Sequence, residues 1–146
     1  MDICLLKQAQ WPQAVNLVWD VFMEFEAPEY APEGIHEFRR FLDSKAELDK
    51  LCWWGAFDAE GLAGVLAMRG THYSLFFVRK NVQRQGVGKA LFQQMAASMA
   101  AAVYTVNSSP FAVAVYSRLG FVPTEEEQIT NGIRYTPMVY RREQSA

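Results

Sequence analysis

The sequence predicts an α/β (α+β) domain over residues 1–146, and three observations carry that expectation. Short runs with strand character interleave with longer segments whose apolar residues recur at helical spacing. One strand-like run, 74–78, ends in a glycine-bearing loop that opens directly into a helical segment. The composition, 51% hydrophobic and 14% aromatic over 146 residues, suffices to bury roughly two thirds of the unfolded surface in one globular unit.

In chain order, residues 2–9 predict a strand. Residues 12–25 predict a helix with Val15, Val18, Trp19 and Phe22 on one face, and residues 34–42 a second with Ile35, Phe38, Phe41 and Leu42 inward. Strands follow near 52–58 and 62–69, joined by the turn Asp58-Ala59-Glu60-Gly61, and a third near 71–78. A helix is expected over Val87–Met99 and a short strand over Val103–Val106. A further helix starts at Pro110, with Ser109 as its cap and Gly120 as its left-handed end. Two last strands fall near 121–124 and 133–140, with Asn131-Gly132 as a turn signal. That makes about seven strands. Trp53 and Trp54 should point to opposite faces of their strand, one into the core and the other toward a cleft or a dimer contact.

The segment Gln83-Arg84-Gln85-Gly86-Val87-Gly88-Lys89 is the most informative in the chain. A strand, a glycine turn and a helix start aim unpaired backbone N–H groups and the positive end of the helix dipole at one spot, which suits a phosphate. The dinucleotide fingerprint fails because Leu91 stands where its third glycine belongs. The P-loop fails at Gln83 and Ala90. The spacing resembles the Q/R-x-x-G-x-G/A pyrophosphate loop of the GNAT superfamily of N-acetyltransferases, with Gln83, Gly86 and Gly88 in its places. Downstream, a strand, Asn107, a short helix carrying Tyr116, and Gly120-Phe121 resemble that family's second cofactor motif. The resemblance implies a mostly antiparallel central sheet with helices on both faces, splayed between its fourth and fifth strands so that a pantetheine arm can enter.

Charge is unevenly spread. Residues 61–124 contain no Asp or Glu but six Lys and Arg, a net of +6, whereas residues 1–60 carry twelve acids and five bases, a net of −7. The chain total of −2 conceals this division. A basic stretch around a phosphate-shaped loop suits a polyanionic cosubstrate, and the resemblance names acetyl-CoA. The acidic total and the acidic N-terminal part speak against nucleic acid. Neither a signal-peptide pattern nor an apolar run near ~20 residues is seen, so a cytoplasmic protein with no membrane partner is expected. Cys4 and Cys52 read as buried structural thiols, and no metal spacing is present.

Acetylating an amine requires a group to take its proton, donors for the carbonyl oxygen and an acid for the departing thiolate. The resemblance implies backbone N–H groups in Phe76, Phe77 and Val78 for the oxyanion, and Gln83, Arg84, Gln85, Gly86, Val87, Gly88 and Lys89 for the phosphates. It further implies Asn107 for the pantetheine amides and Tyr116 as the acid that protonates the thiolate. Arg79 and Lys80 read as solvated charge within reach of a 3′-phosphate. The proton acceptor stays open. The resemblance offers His72 as one candidate, because it lies eleven residues before Gln83, where histone-acetylating members of the family carry a glutamate base; Glu24, Glu26 and Glu29 are rivals, because the family places the end of the first helix over the acceptor site. His36 reads as a surface side chain.

Between Gln8 and Phe38 there is no Lys or Arg but there are six acids. The resemblance places this region over the acceptor mouth, where Glu26 and Glu29 would draw a cationic small-molecule or peptide amine toward the thioester. The expected function is therefore acetyl transfer to an amine. The alternative is a non-catalytic acyl-CoA-binding module, against which Tyr116 argues, since a binder needs no acid for a thiolate.

Overall fold

The computed structural model describes residues 1–142. Among these residues eight strands form a sheet that five α-helices flank. β1 (Asp2–Leu5) is shorter than the expected 2–9 because the chain turns at Gln8–Gln10, where the Gln10 side chain accepts from the Lys7 N–H at 2.8 Å. That turn leads into α1 (Trp11–Phe25), with Pro12 in its first turn where a missing N–H costs nothing. α2 (Pro32–Leu42) also opens on a proline. A one-turn helix the sequence reading lacked, α3 (Lys45–Leu48), is capped by the Ser44 hydroxyl, which accepts from the Glu47 N–H at 3.3 Å.

β2 (Cys52–Asp58), β3 (Gly61–Arg69) and β4 (His72–Val78) form an antiparallel meander, followed by α4 (Val87–Ser98), β5 (Val103–Ser108) and α5 (Val113–Leu119). The last helix begins three residues later than expected; the Ser109 hydroxyl instead caps the turn before it, accepting from the Ala112 N–H at 3.2 Å. β6 (Val122–Pro123), β7 (Gln128–Thr130) and β8 (Ile133–Arg141) complete the chain. β7 was not expected. It pairs with β8 through Asn131 and Gly132, both at positive φ (52° and 79°), as a two-residue hairpin of the primed type requires.

The strand order is β1-β2-β3-β4-β5-β8-β6, with β7 on β8 outside this path. All pairs are antiparallel except β4 with β5. Helices cover both faces. On one face α1, α2 and α3 bury Val18, Phe22, Leu42 and Leu48 against Trp53, Val65, Leu75 and Phe77. On the other, α4 and α5 bury Val87, Leu91, Met95 and Tyr116 against Trp54, Leu66, Tyr104 and Met138. Trp53 and Trp54 do point to opposite faces, but both are core residues, 1% and 3% exposed, and neither lines a cleft. The cysteines also depart from expectation: Cys4 is exposed and Cys52 half-buried, both as free thiols. No helix among the described residues is long and apolar enough to cross a membrane.

Candidate active site at the split between β4 and β5

β4 and β5 are paired only at His72–Thr105 and Tyr73–Val106 and then part. The cause is local. In the β3–β4 ladder Met68 faces Tyr73 and Ala67 faces Leu75, so Ser74 is an extra, bulged residue. A bulge bends the strand and reverses the alternation of its side chains. Tyr73 therefore shares a face with Phe76 and Val78 rather than with Leu75 and Phe77.

Beyond the bulge β4 has an unpaired edge. The Arg79 N–H donates to the Ala63 carbonyl at 2.8 Å, so by antiparallel alternation the Phe77 N–H also faces β3, while those of Phe76 and Val78 face the gap. The Gln83 side-chain amide donates to the Val78 carbonyl at 3.0 Å, capping that edge and fixing the start of the loop. Of the three expected main-chain donors, then, Phe76 and Val78 point into the opening. Phe77 contributes its ring instead.

The loop delivers its N–H groups as the sequence implies. Arg84 and Gly86 both stand at positive φ, 64° and 85°, and Gly86 is the residue from which α4 starts. The first helical bond is from the Ala90 N–H to the Gly86 carbonyl at 3.0 Å, which leaves the N–H groups of Val87, Gly88 and Lys89 without helical partners, and no side chain caps them. Gly88 has a second reason to be glycine: a Cβ there would lie 2.8 Å from the tip of the Phe76 ring. Gly64 lets the helix sit low on β3, since a Cβ on it would meet Val87 at 2.9 Å. Arg84, Gln85 and Lys89 are exposed around the loop. Arg79 is not available for a phosphate, being held by Asp58, Glu60 and the Leu62 carbonyl, and Lys80 is paired with Glu24 at 2.6 Å.

A cavity of about 170 Å³ fills the opening. It is lined by Tyr73, Phe76 and Tyr116 from the face of the sheet covered by α4 and α5, by Phe22, Tyr30, Phe38 and Phe77 from the face covered by α1 and α2, and by Ser74, Asn107, Glu26 and Ile133. Tyr116 is buried in an aromatic group with Tyr73, Phe76 and Phe121, at ring-centroid distances of 5.8, 5.6 and 5.4 Å. Burial, reinforced by the Glu26 carboxyl, pushes its hydroxyl well above the ordinary tyrosine range, so it remains protonated as a donor.

Glu26 is the acid that the fold brings to Tyr116. It closes α1 one turn after Phe22, and only 9% of it is exposed. Burial pushes its pKa up to about 7, against the Ser109 hydroxyl, which lowers it, with nearby Glu29 raising it further. His72 lies elsewhere. It sits at the closed end of the split, its Nδ1 2.8 Å from the Thr105 hydroxyl, and outside the lining of the cavity. Burial lowers its pKa. Glu29 is turned to the rim, 3.9 Å from Arg134, whose guanidinium also donates to the Glu29 carbonyl at 3.4 Å. His36 is exposed.

Sequence reasoning did not find the aromatic wall of Tyr30 and Phe38, nor Ser109 beside Glu26. One signal was available: Val15, Val18 and Phe22 step by three and four, and the next step falls on Glu26. Among the described residues no cluster of three or more His, Cys, Asp and Glu side chains could hold a metal ion.

A split mixed sheet with a phosphate-type loop on one strand and a buried tyrosine across the gap defines the class of acyl-group transferases. The sequence profile described as acetyltransferase (GNAT) domain matches residues 26–142, and the chain belongs to that family. Among solved structures, a GCN5-related N-acetyltransferase from Rhodopseudomonas palustris superposes with a TM-score of 0.80 at 17% identity, over 97% of this chain and 95% of that one. The PaiA N-acetyltransferase from Thermoplasma acidophilum, solved with coenzyme A, gives 0.75 at 15% identity over 97% and 100%. An aminoglycoside 6'-N-acetyltransferase complexed with coenzyme A gives 0.61 at 12% identity over all of both chains. These likenesses bear out the expected mixed, mostly antiparallel fold; the parallel sense of the β4–β5 pair is read from the structure. No curated protein sequence matches.

Proposed function

We propose that this protein transfers the acetyl group of acetyl-CoA to a primary amine by direct attack on the thioester. The observation that carries the proposal is the placement of one buried carboxyl, Glu26, and one buried phenol, Tyr116, in a single cavity at the split. Two of the structural neighbours were solved with coenzyme A, and the residues of this chain fit that molecule. The free N–H groups of Val87, Gly88 and Lys89, with exposed Arg84 and Lys89, receive the pyrophosphate. Asn107, exposed at the end of β5 and on the cavity wall, serves the pantetheine amides.

The acceptor arrives as an ammonium, since an alkylamine has a pKa of ~10.4. Glu26 takes one proton, and its raised pKa makes the carboxylate basic enough to do so near neutral pH. The nitrogen lone pair then forms a bond to the thioester carbon, and the oxygen takes up charge toward the N–H groups of Phe76 and Val78. The C–S bond breaks and Tyr116 gives its proton to sulfur. Of the two protons the ammonium loses, one leaves through Glu26 to solvent and the other replaces the one Tyr116 has given. His72, bonded to Thr105 outside the cavity, takes no part.

The test is acetyl-CoA-dependent thiol release with a panel of amines, run on wild type and Tyr116→Phe. The phenylalanine ring keeps the packing, so acetyl-CoA affinity should hold while kcat falls by about 10²- to 10⁴-fold. Wild-type turnover by Tyr116→Phe would remove the tyrosine from the mechanism, and binding without turnover of any amine would leave a binding module.

A further inference from the structure

We infer that the acceptor is a small amine carrying a single ammonium on an apolar, ring-sized body, rather than a polyamine or another polycation. This rests on the acetyl-transfer reading above and narrows it to a substrate class. The acceptor side of the cavity is walled by Phe22, Tyr30, Phe38, Phe77 and Ile133. The rings form one continuous surface, with centroids 4.2 Å apart for Phe22 and Phe38, 5.5 Å for Phe22 and Tyr30, and 6.1 Å for Phe38 and Phe77. The whole cavity, cofactor side included, measures about 170 Å³, so the acceptor's share admits a body no larger than a single ring, the size of molecule that an apolar cavity of ~150 Å³ takes up.

Charge sets the count of ammonium groups. Glu26 is the only carboxyl lining the cavity, and it has no cationic partner among the described residues. A buried carboxylate of this kind gains most from one cation brought by a ligand. Of the five acids between Gln8 and Phe38 that lie outside the cavity, three already hold cations of the protein: Glu24 with Lys80 at 2.6 Å, Glu37 with Arg40 at 2.6 Å and Glu29 with Arg134 at 3.9 Å. Asp20 and Glu33, the other two, do not line the cavity. A second ammonium entering the cavity would lose its hydration against ring carbons without a carboxylate to meet it.

The experiment measures kcat/KM at saturating acetyl-CoA for 2-phenylethylamine, ethylamine and spermidine, by thiol release. Phenylethylamine should exceed both of the others by about 10-fold or more. In Phe38→Leu and Tyr30→Leu, checked for folding by the rise of melting temperature with acetyl-CoA, its advantage over ethylamine should narrow. Spermidine turned over as well as or better than phenylethylamine would overturn the substrate class while leaving acetyl transfer standing. An advantage unchanged in both leucine variants would do the same. A folded protein that binds acetyl-CoA and turns over none of the three but does turn over another amine of the panel overturns this inference alone, and binding without turnover of any amine overturns the transferase reading with it.

Discussion

At the scale of single residues, Glu26 links stability to the proposed chemistry. Its ordinary carboxyl pKa of 4.5 rises to about 7 in the fold, mainly because burial disfavours the charged form. Below pH 4.5 the group is protonated in both states and costs nothing. Between 4.5 and 7 the unfolded chain ionises first, so stability falls as pH rises, and above 7 the loss is constant at roughly 3 kcal/mol. Glu26→Gln mimics the protonated acid. It should therefore match wild type in denaturant unfolding at pH 4 and be the more stable variant at pH 8. The same substitution should abolish the rise of kcat/KM through pH 7 that ionisation of the proton acceptor produces. Equal stabilities at pH 8 would show that burying the Glu26 carboxylate costs nothing, and an intact rise in the variant would show that Glu26 does not accept the proton.

At the scale of elements, the acceptor side of the cavity is held by a contact between backbones. The β7–β8 turn lies on the first turn of α2 so closely that a Cβ on Gly34 would fall 2.2 Å from the Gly132 carbonyl oxygen. Ile133, next to that turn, lines the cavity, and Arg134 reaches the Glu29 carbonyl. Gly34→Ala must push the hairpin away from α2, at a cost of about 1–3 kcal/mol. Because the phosphate loop lies on the far side of the split, KM for the amine should rise while acetyl-CoA affinity stays as it was. A drop in acetyl-CoA affinity of the same size would mean that the hairpin supports both halves of the site.

Elements marked by local chemistry were legible in the sequence. The proline opening α1, Gly86 at the start of α4, Gly120 at the end of α5 and the Asn131-Gly132 turn all act within a few residues of themselves, whereas α2 starts at Pro32, two residues before its expected start. β7 was missed because Ile129 is 66% exposed, and three residues without a buried face leave no periodic trace. The glycine loop at the start of α4 was legible for the same local reason. The proposed proton acceptor, Glu26, was legible only as one of four candidates, because the cavity joins the end of α1, a bulge in β4 and the turn after β5. Spacing from the loop singled out His72, but the Ser74 bulge and the parallel pairing with Thr105 place that side chain at the closed end of the split.

At the scale of the whole molecule, the uneven charge of the sequence serves two purposes that the fold separates. Part of the basic stretch fastens the start of the phosphate loop to the acidic N-terminal part: Arg79 to Asp58 and Glu60, and Lys80 to Glu24. Arg84 and Lys89 remain exposed, with no ion-pair partner among the described residues. In the proposed reading they are the loop's own cations that meet the pyrophosphate. At up to about 1 kcal/mol for each exposed contact, the double variant Arg84→Ala, Lys89→Ala should weaken acetyl-CoA binding roughly tenfold at low salt. The loss should shrink as salt screens the pair. Arg79→Ala should instead lower the melting temperature and leave the salt dependence of binding intact, because its guanidinium bonds to β2, β3 and the turn between them. Calorimetric titration of acetyl-CoA at two ionic strengths separates the two effects. If Arg79→Ala flattens the salt dependence and the double variant does not, the phosphates are met at the foot of β4 and not at the start of α4.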